Sequence, residues 1–181
     1  MLRSIYYILA HLLEWLVIFF MVLLTVVVIV GVTYRIVGNS LSWYDEIASV
    51  LLAWITYFGA GLAALKRRHI GFDAALLSIP MPMRMVGVAI AEISTIVFFA
   101  IMTWAGLKVL QVLEGEVLVS LTWLPIQVTQ AIIPIGGALF IACSILSLPD
   151  YWRKTAAGIS LEHADIEEEV ETELKKAGEA S

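Results

Sequence analysis

Residues 15–34 have the sequence WLVIFFMVLLTVVVIVGVTY, a run of twenty residues without a charged side chain. A helix needs about 20 apolar residues to cross the roughly 30 Å hydrocarbon core of a bilayer. Outward from this run, residues 47–65 and 117–149 are also free of charge, and residues 85–107 contain a single charged residue, Glu92. These runs predict four transmembrane helices, near residues 12–37, 43–65, 84–110 and 124–148.

The composition supports a membrane protein. Of the 181 residues, 61% are hydrophobic and 15% are charged, whereas an average soluble domain has about 45–50% apolar and about 25% charged residues. A globule of this size could not bury so much apolar surface, so lipid must cover part of it. We therefore predict an all-α integral membrane protein with a four-helix membrane domain over residues 1–158, which leaves no room for a separate soluble catalytic domain.

The two ends of the chain differ from the predicted spans. Residues 1–13 mix tyrosines, Arg3 and His11 with leucines, which predicts a short interfacial helix before the first span. The apolar run that follows is too long for a signal peptide, whose apolar region has about 7–15 residues, so the first span is expected to be uncleaved. The tail, residues 159–181, is acidic, and both disorder and a short docked amphipathic helix fit its composition.

Lysine and arginine placement predicts the orientation. Two basic residues, Arg35 and Lys108, flank the spans on the side away from the termini. Seven flank the spans on the side of the termini: Arg3, Lys66, Arg67, Arg68, Arg84, Arg153 and Lys154. Because cytoplasmic loops carry the excess of basic residues, both termini are predicted to be cytoplasmic. The loops 38–42 and 111–123 would then face the periplasm of a bacterium.

Nothing in the sequence predicts catalysis, a metal site or a cofactor. The histidines, His11, His69 and His163, lie near span ends or in the tail, away from the mid-span position of a haem ligand, which disfavours a membrane anchor of a redox enzyme. The single cysteine, Cys143, excludes an internal disulfide. Neither G-x-S-x-G nor H-E-x-x-H occurs. With a nearly neutral body apart from the tail, nucleic-acid binding is not expected either.

Glu92 is the one acidic residue that lies more than three residues from the ends of a predicted span. A charge near the bilayer centre costs about 2.5–3.5 kcal/mol on the insertion scale, so such a residue is a candidate functional site. In one hypothesis the chain is a self-sufficient small exporter that works as a dimer, with Glu92 as its proton carrier. In the other interpretations Glu92 is shallow enough to be reached by water, or it pairs with a basic residue of a partner chain.

Charged residues flank the short connection between helices 1 and 2. Arg35 lies at the end of helix 1, and Asp45 and Glu46 lie at the start of helix 2. Because the helices are antiparallel neighbours, we predict an ion pair between Arg35 and Glu46, with Asp45 as the second choice and Trp43 packed over the pair. The alternatives are that Arg35 contacts lipid phosphate and that the acids form a docking face for a partner protein.

Helix 2 carries small residues that permit close helix packing. Gly59 and Ala63 form a small-xxx-small step, with Ala60 beside them, and such a step lets another helix approach closely. The approaching helix is either helix 1 or a helix of a partner subunit. Beyond the end of helix 2, His69 and Asp73 are four residues apart and could form a polar contact at the cytoplasmic end.

Two prolines are expected to shape the fourth helix. Pro125 suits the first turn of a helix, where the missing N–H is not needed. Pro134 lies inside the predicted span and should kink it.

The stretch YRIVGNSLSWYDEIASVLLAWITYFGAGLAALKRRHIGFD, residues 34–73, resembles the small permease subunit of tripartite ATP-independent periplasmic (TRAP) transporters. The positions that carry the resemblance are Arg35, Trp43, Asp45, Glu46, Trp54, Gly59, Ala60, His69 and Asp73. Residues 120–139, SLTWLPIQVTQAIIPIGGAL, resemble the fourth helix of that family through Pro125, Pro134 and Gly136. Glu14 fits the start of helix 1. Asp45 departs from the family, which has alanine or glutamate there more often, so Glu46 is the main acid.

The resemblance implies a division of labour. In that family the large permease subunit holds the substrate and sodium sites, and a periplasmic binding protein delivers the solute. The small subunit supports the large one in the bacterial inner membrane. The chain is accordingly expected to be a non-catalytic scaffold for sodium-coupled uptake of a small, carboxylate-bearing solute, with the large subunit, the transient binding protein and membrane lipids as partners. The expected packing residues towards the large subunit are Trp54, Gly59, Ala60 and Ala63.

Overall fold

The computed structural model describes residues 2–67 and 80–156 of the chain. The described residues are helical apart from their connections, and the only bridge in them is an isolated one between Val117 and Pro125. The helices are α1 (Leu2–Ile36), α2 (Tyr44–Lys66), α3 (Met81–Val112), α4 (Ile126–Gln130) and α5 (Ile132–Ala156).

Four segments of the described residues are long and apolar enough to cross a membrane, which confirms the predicted number of spans. They are Ile5–Ile36, Tyr44–Lys66, Met81–Val112 and Ile126–Arg153. The fourth span consists of α4 and α5 together. His69, Asp73 and the acidic tail lie outside the described residues, so the polar contact expected between the first two stays a prediction.

The N-terminal residues are part of the first span helix rather than a separate interfacial helix. The α1 helix has 35 residues and is therefore about 52 Å long, which exceeds the roughly 30 Å hydrocarbon core. No glycine or proline interrupts the chain between Leu2 and Glu14. Because nothing in this stretch breaks a helix, it continues directly into the apolar run that follows.

The fourth span is interrupted one turn before Pro134. Pro134 has no N–H to donate to the carbonyl of Gln130, and its ring disfavours a regular helix at that carbonyl. The short α4 helix ends at Gln130, Ala131 lies between the two helices, and α5 starts at Ile132. The amide of Ala131 donates to the Gln127 carbonyl (2.9 Å), and its carbonyl accepts from Ile135 N–H (3.1 Å), so hydrogen bonding continues across the interruption.

The spans form an open layer rather than a closed bundle. The α1 helix packs on α2, α2 packs on α5, and α5 packs on α3. The outer helices are covered on one side only: 6% of the most apolar stretch of α1 and of α3 is buried, against 22% for α2 and 44% for the fourth span. The order across the layer is therefore α1, α2, α5, α3, and the outer faces of α1 and α3 are left to lipid or to partners.

Glycines let α5 approach both of its neighbours. A Cβ atom at Gly136 would lie 2.6 Å from Cβ of Tyr57 in α2. A Cβ atom at Gly106 of α3 would lie 2.9 Å from Cδ of Pro134 in α5. Both distances are far below van der Waals contact, so a larger residue at either position would push two helices apart. Gly136 thus serves the contact of α2 with α5, a role that complements the shape given to this span by Pro125 and Pro134.

Candidate functional site

Two consecutive basic residues at the end of α2 reach in opposite directions across the layer. Lys66 Nζ pairs with Oε1 of Glu14 in α1. Arg67 Nη1 pairs with Oε1 of Glu92 in α3. The end of the layer that carries these four residues is called the charged end below. Its two ion pairs connect α2 to both outer helices.

The Arg67 side chain makes three contacts besides its ion pair with Glu92. Its Nε donates to Ser147 Oγ (2.8 Å), its Nη2 donates to the Ser144 carbonyl (2.8 Å), and its Cζ lies 4.6 Å from the centre of the Tyr151 ring. All three partners belong to α5, which lies between α2 and α3. The Arg67 side chain is only 11% exposed. The guanidinium therefore crosses over α5 to reach Glu92, using its donors in several directions at once.

The backbone of Arg67 explains this direction. Arg67 is the C-cap of α2 with φ of 53°, in the left-handed region, and its N–H donates to the Ala64 carbonyl (3.3 Å). Non-glycine residues rarely adopt such a φ. The left-handed cap ends the helix abruptly, so the Arg67 side chain runs across the layer instead of continuing along the axis of α2.

Glu92 has a partner in the same chain that neither interpretation drawn from the sequence named. It pairs with Arg67, and its side chain is 16% exposed. Glu92 lies eleven residues into α3, about 17 Å along the axis, and its ion pair places it level with the end of α2. The carboxylate is consequently at the charged end and not at the middle of the layer.

Glu14 belongs to a cluster of polar side chains of α1 at the charged end. Besides Lys66, His11 Nδ1 lies 3.7 Å from Glu14 Oε2, and Trp15 Nε1 donates to His11 Nε2 (3.0 Å). The Lys66 and Glu14 side chains are 32% and 34% exposed, so this pair is more open to solvent than the Arg67–Glu92 pair. Its contribution to stability should accordingly be smaller.

The opposite end, called the loop end, consists of residues 37–43 and 113–125 and the helix termini beside them. Here the predicted ion pair is wrong: none of the ion pairs among the described residues joins Arg35 to Glu46 or Asp45, and both Arg35 and Asp45 are exposed. Instead, Glu46 Oε2 accepts a hydrogen bond from the Ser120 backbone N–H (2.9 Å), while Ser120 Oγ donates to the Ser42 carbonyl (2.9 Å). The second loop, and not α1, thus supplies the partner of Glu46.

The expected partner-packing residues of α2 divide between two sides of the helix. Trp54 packs inside the subunit: its ring centre lies 5.8 Å from those of Phe20 and Phe58, and its Nε1 donates to the Thr129 carbonyl (3.3 Å). Ala60 also packs against the core. Gly59, in contrast, has no atom within 4 Å of the position that a Cβ would take. Trp54 is therefore an internal packing residue, and Gly59 lies on an open side.

The open side of α2 continues along the whole helix. Ser49, Leu52 and Thr56 are exposed and precede Gly59 and Ala63 at spacings of three and four residues. This spacing places them on one face of the helix. The face is mostly small and polar, unlike the large apolar side chains that α1 and α3 expose.

Most of the chain matches a known protein family. Residues 21–154 match the family described as tripartite ATP-independent periplasmic transporters, DctQ component. The chain belongs to the DctQ family. The resemblance found in residues 34–73 and 120–139 is thereby confirmed. No curated protein matches the sequence.

Membership of the DctQ family gives the chain a place and a broad role. It is a small membrane subunit of a TRAP transporter and resides in the bacterial inner membrane, with four spans. The family acts with the large DctM subunit and a binding protein. It is a transporter component and generally non-catalytic. Among the described residues, no group of three or more His, Cys, Asp or Glu side chains could hold a metal ion.

One pattern in the sequence indicates this site, although the orientation argument does not use it. A basic residue directly after an apolar helix, Arg67, and an acid deep inside another span, Glu92, are charges that most need partners. Pairing them predicts the contact of Arg67 with Glu92. The contacts to Ser144, Ser147 and Tyr151 have no comparable sequence signal.

Proposed function

We propose that this DctQ subunit is a non-catalytic scaffold that holds the large permease subunit in the bilayer. The sodium and substrate sites belong to the large subunit, and a periplasmic binding protein delivers a small, carboxylate-bearing solute to it. The open, small-residue face of α2 is the observation that carries this proposal. Gly59 and Ala63, in the C-terminal half of that face, admit a closer helix approach than lipid contact requires.

The face is proposed as the contact with the large subunit for a second reason. The two neighbours of α2 in the layer, α1 and α5, are already packed against other parts of its surface. A further helix can therefore reach α2 only from the open side. Trp54 and Ala60 are left out of this contact because they pack within the subunit.

The proposed orientation places the charged end in the cytoplasm and the loop end in the periplasm. Lys66, Arg67, Arg84 and Arg153 belong to the helix ends on the charged side, whereas Arg35 and Lys108 lie towards the loops. Cytoplasmic excess of basic residues favours this arrangement. An alkaline phosphatase fusion at Asn39 should be active and one at Gly158 inactive. Active phosphatase at Gly158 would mean that the orientation is the opposite of the one proposed.

Co-purification tests the scaffold role. Co-expressed with its large subunit, the tagged wild-type chain should purify as a one-to-one complex. Gly59→Leu and Ala63→Leu should each reduce the yield of the large subunit, because the added side chain blocks close approach. The matched control is Ala100→Leu, a similar enlargement at an exposed position of α3. Equal yields from all three variants would place the interface elsewhere.

The alternative function, an exporter driven through Glu92, has no specific observation in its favour. A proton carrier needs a carboxyl group that exchanges freely with water, whereas Glu92 is enclosed by Arg67 beside α5. Uptake by the complete three-component system in vesicles, and its loss when the large subunit is omitted, separates the two functions.

A further inference from the structure

Arg67 forms an ion pair that reaches from α2 to α3. These helices lie on opposite sides of α5, and each packs extensively on α5 but not on the other. The Arg67 guanidinium bridges them, since it contacts Ser144 and Ser147 on the way to Glu92. Contacts with α5 fix how far α2 and α3 lie from that helix. A link from α2 to α3 also restricts the angle between them around α5.

We propose that Arg67 and Glu92 are positioning residues that fix this angle, and with it the curvature of the helix layer that the large subunit recognises. The proposal rests on the scaffold function for its second part only. The first part concerns the shape of this subunit and can be measured without a partner.

The chemistry of the pair suits a fixed position better than a loose attraction. Arg67 is 11% exposed and Glu92 is 16% exposed, so little water is available to replace either partner. Removal of one partner would leave an uncompensated charge in a poorly hydrated place. Lysine could not reproduce the arrangement, because one ammonium group cannot donate along the separate directions to Ser147, Ser144 and Glu92 that the planar guanidinium serves.

The backbone of Arg67 allows the side chain to be tested separately from the helix end. At φ of 53° glycine would be the residue with the least backbone strain. Arg67→Gly therefore keeps the left-handed cap and removes only the side chain. If the cap alone positioned α2 and α3, Arg67→Gly would behave as well as the wild type.

Distance measurements between spin labels test the angle. Labels at Thr56→Cys in α2 and Ser94→Cys in α3, in a chain whose buried Cys143 is replaced by Ala, report the separation of α2 and α3 in nanodiscs. A second pair, Thr25→Cys with Thr56→Cys, reports α1 and α2 as the matched control. None of these substitutions changes a residue of the charged end, and the three labelled residues are exposed.

The expected result is specific to one pair of labels. Arg67→Gly and Glu92→Gln should broaden and lengthen the α2–α3 distance and leave the α1–α2 distance unchanged. The exchange Arg67→Glu with Glu92→Arg should narrow the distribution again, because it restores one ion pair without the contacts to α5. An unchanged α2–α3 distribution in both single variants would overturn the proposal.

The full complex tests the second part. Yield of the large subunit should fall by roughly tenfold or more in the single variants, and Arg67→Lys should recover less than the exchanged pair. A changed distance with an unchanged yield would show that the large subunit does not recognise the curvature.

Failure of the wild-type chain to purify with the large subunit would instead refute the scaffold function, while the distances would still decide the positioning role. Should the single variants fail to express, Glu92→Asp and Arg67→Lys, which keep both charges, provide the same measurements. Lost uptake in Glu92→Gln with unchanged distance and yield would overturn the proposal in favour of a proton-carrying role.

Discussion

The two ends of α2 are held by different chemistry. At the charged end, Lys66 and Arg67 form ion pairs with α1 and α3, and Arg67 is nearly enclosed by side chains of α5. At the loop end, Glu46 accepts from a backbone N–H of the second loop, and Arg35 takes part in none of the ion pairs of the described residues. One end therefore links helices through side-chain charges, and the other end attaches a loop to a helix terminus.

The difference follows from what each end must join. The outer helices α1 and α3 touch the layer along one side only, so their position at the charged end depends on bonds that reach across from α2. At the loop end the chain itself connects α1 to α2 and α3 to α4, and the loop needs only one anchor. The chain connects helices at both ends, so the difference lies in the groups used: side-chain charges reach both outer helices at one end, and a backbone N–H attaches a loop at the other.

The largest expected effect comes from removing the more enclosed pair. Arg67→Ala leaves Glu92 without its partner, which in buried sites costs about 3–5 kcal/mol. Reversible unfolding in mixed detergent should report a loss of that size. The double variant Arg67→Ala with Glu92→Ala should lose clearly less than Arg67→Ala alone, because no charge is left unpaired. A double variant as unstable as the single one would show that the contacts to α5, and not the charges, dominate.

A change in the middle of the layer should weaken both ends alike. Gly136→Leu would place a side chain where Tyr57 Cβ now lies only 2.6 Å from the Cβ position. Overpacking of this kind costs about 1–3 kcal/mol and sometimes more. The enlarged side chain should separate α2 from α5, so disulfide cross-linking between these helices should slow at either end. Gly59→Leu is the matched control, because its Cβ position is open, and in the isolated subunit it should leave stability nearly unchanged.

The sequence predicted the spans well because lipid imposes a single strong requirement. Any run of about 20 apolar residues satisfies it, wherever the run lies in the chain. The same requirement says nothing about which helices are neighbours. Along the chain, Arg67 and Glu92 are separated by the connection between α2 and α3. In space, α5 lies between these helices, although it follows both in sequence. The pair could therefore be found only by asking which charges lack partners.

The failed prediction at the loop end has a similar cause. The predicted pair of Arg35 with Glu46 rests on helices that follow each other in sequence. The actual partner of Glu46 is the backbone N–H of Ser120, 74 residues away, and every residue except proline carries such a group. A backbone donor therefore leaves no signal in the sequence. The interruption before Pro134 was more accessible, because it follows from the missing N–H of one residue type.

Removing the anchor of the second loop should have a moderate effect. Glu46→Ala deletes the acceptor for Ser120 N–H, and hydrogen bonds to charged groups contribute about 1.5–3 kcal/mol. The lower part of that range applies at an end that solvent reaches. Ser120→Ala keeps its backbone N–H and loses only the bond to the Ser42 carbonyl, so it should cost less than Glu46→Ala. Limited proteolysis of the loop at residues 113–125 should follow the same order.

The smallest effect on stability should come from changing Arg35, although only the first loop separates it in sequence from the acids of α2. Arg35 is exposed and makes no ion pair with Glu46 or Asp45. Arg35→Gln should therefore change the unfolding free energy by no more than about 0.5 kcal/mol, as for most surface changes.

The exchange Arg35→Glu with Glu46→Arg sharpens the comparison with the charged end. There an exchange restores a pair, whereas here it replaces the acceptor of Ser120 N–H with a cation that cannot accept a hydrogen bond. The exchanged variant should therefore be as unstable as Glu46→Ala. Recovery to wild-type stability would mean that Arg35 and Glu46 pair in the membrane after all, and that the two ends of α2 are held alike.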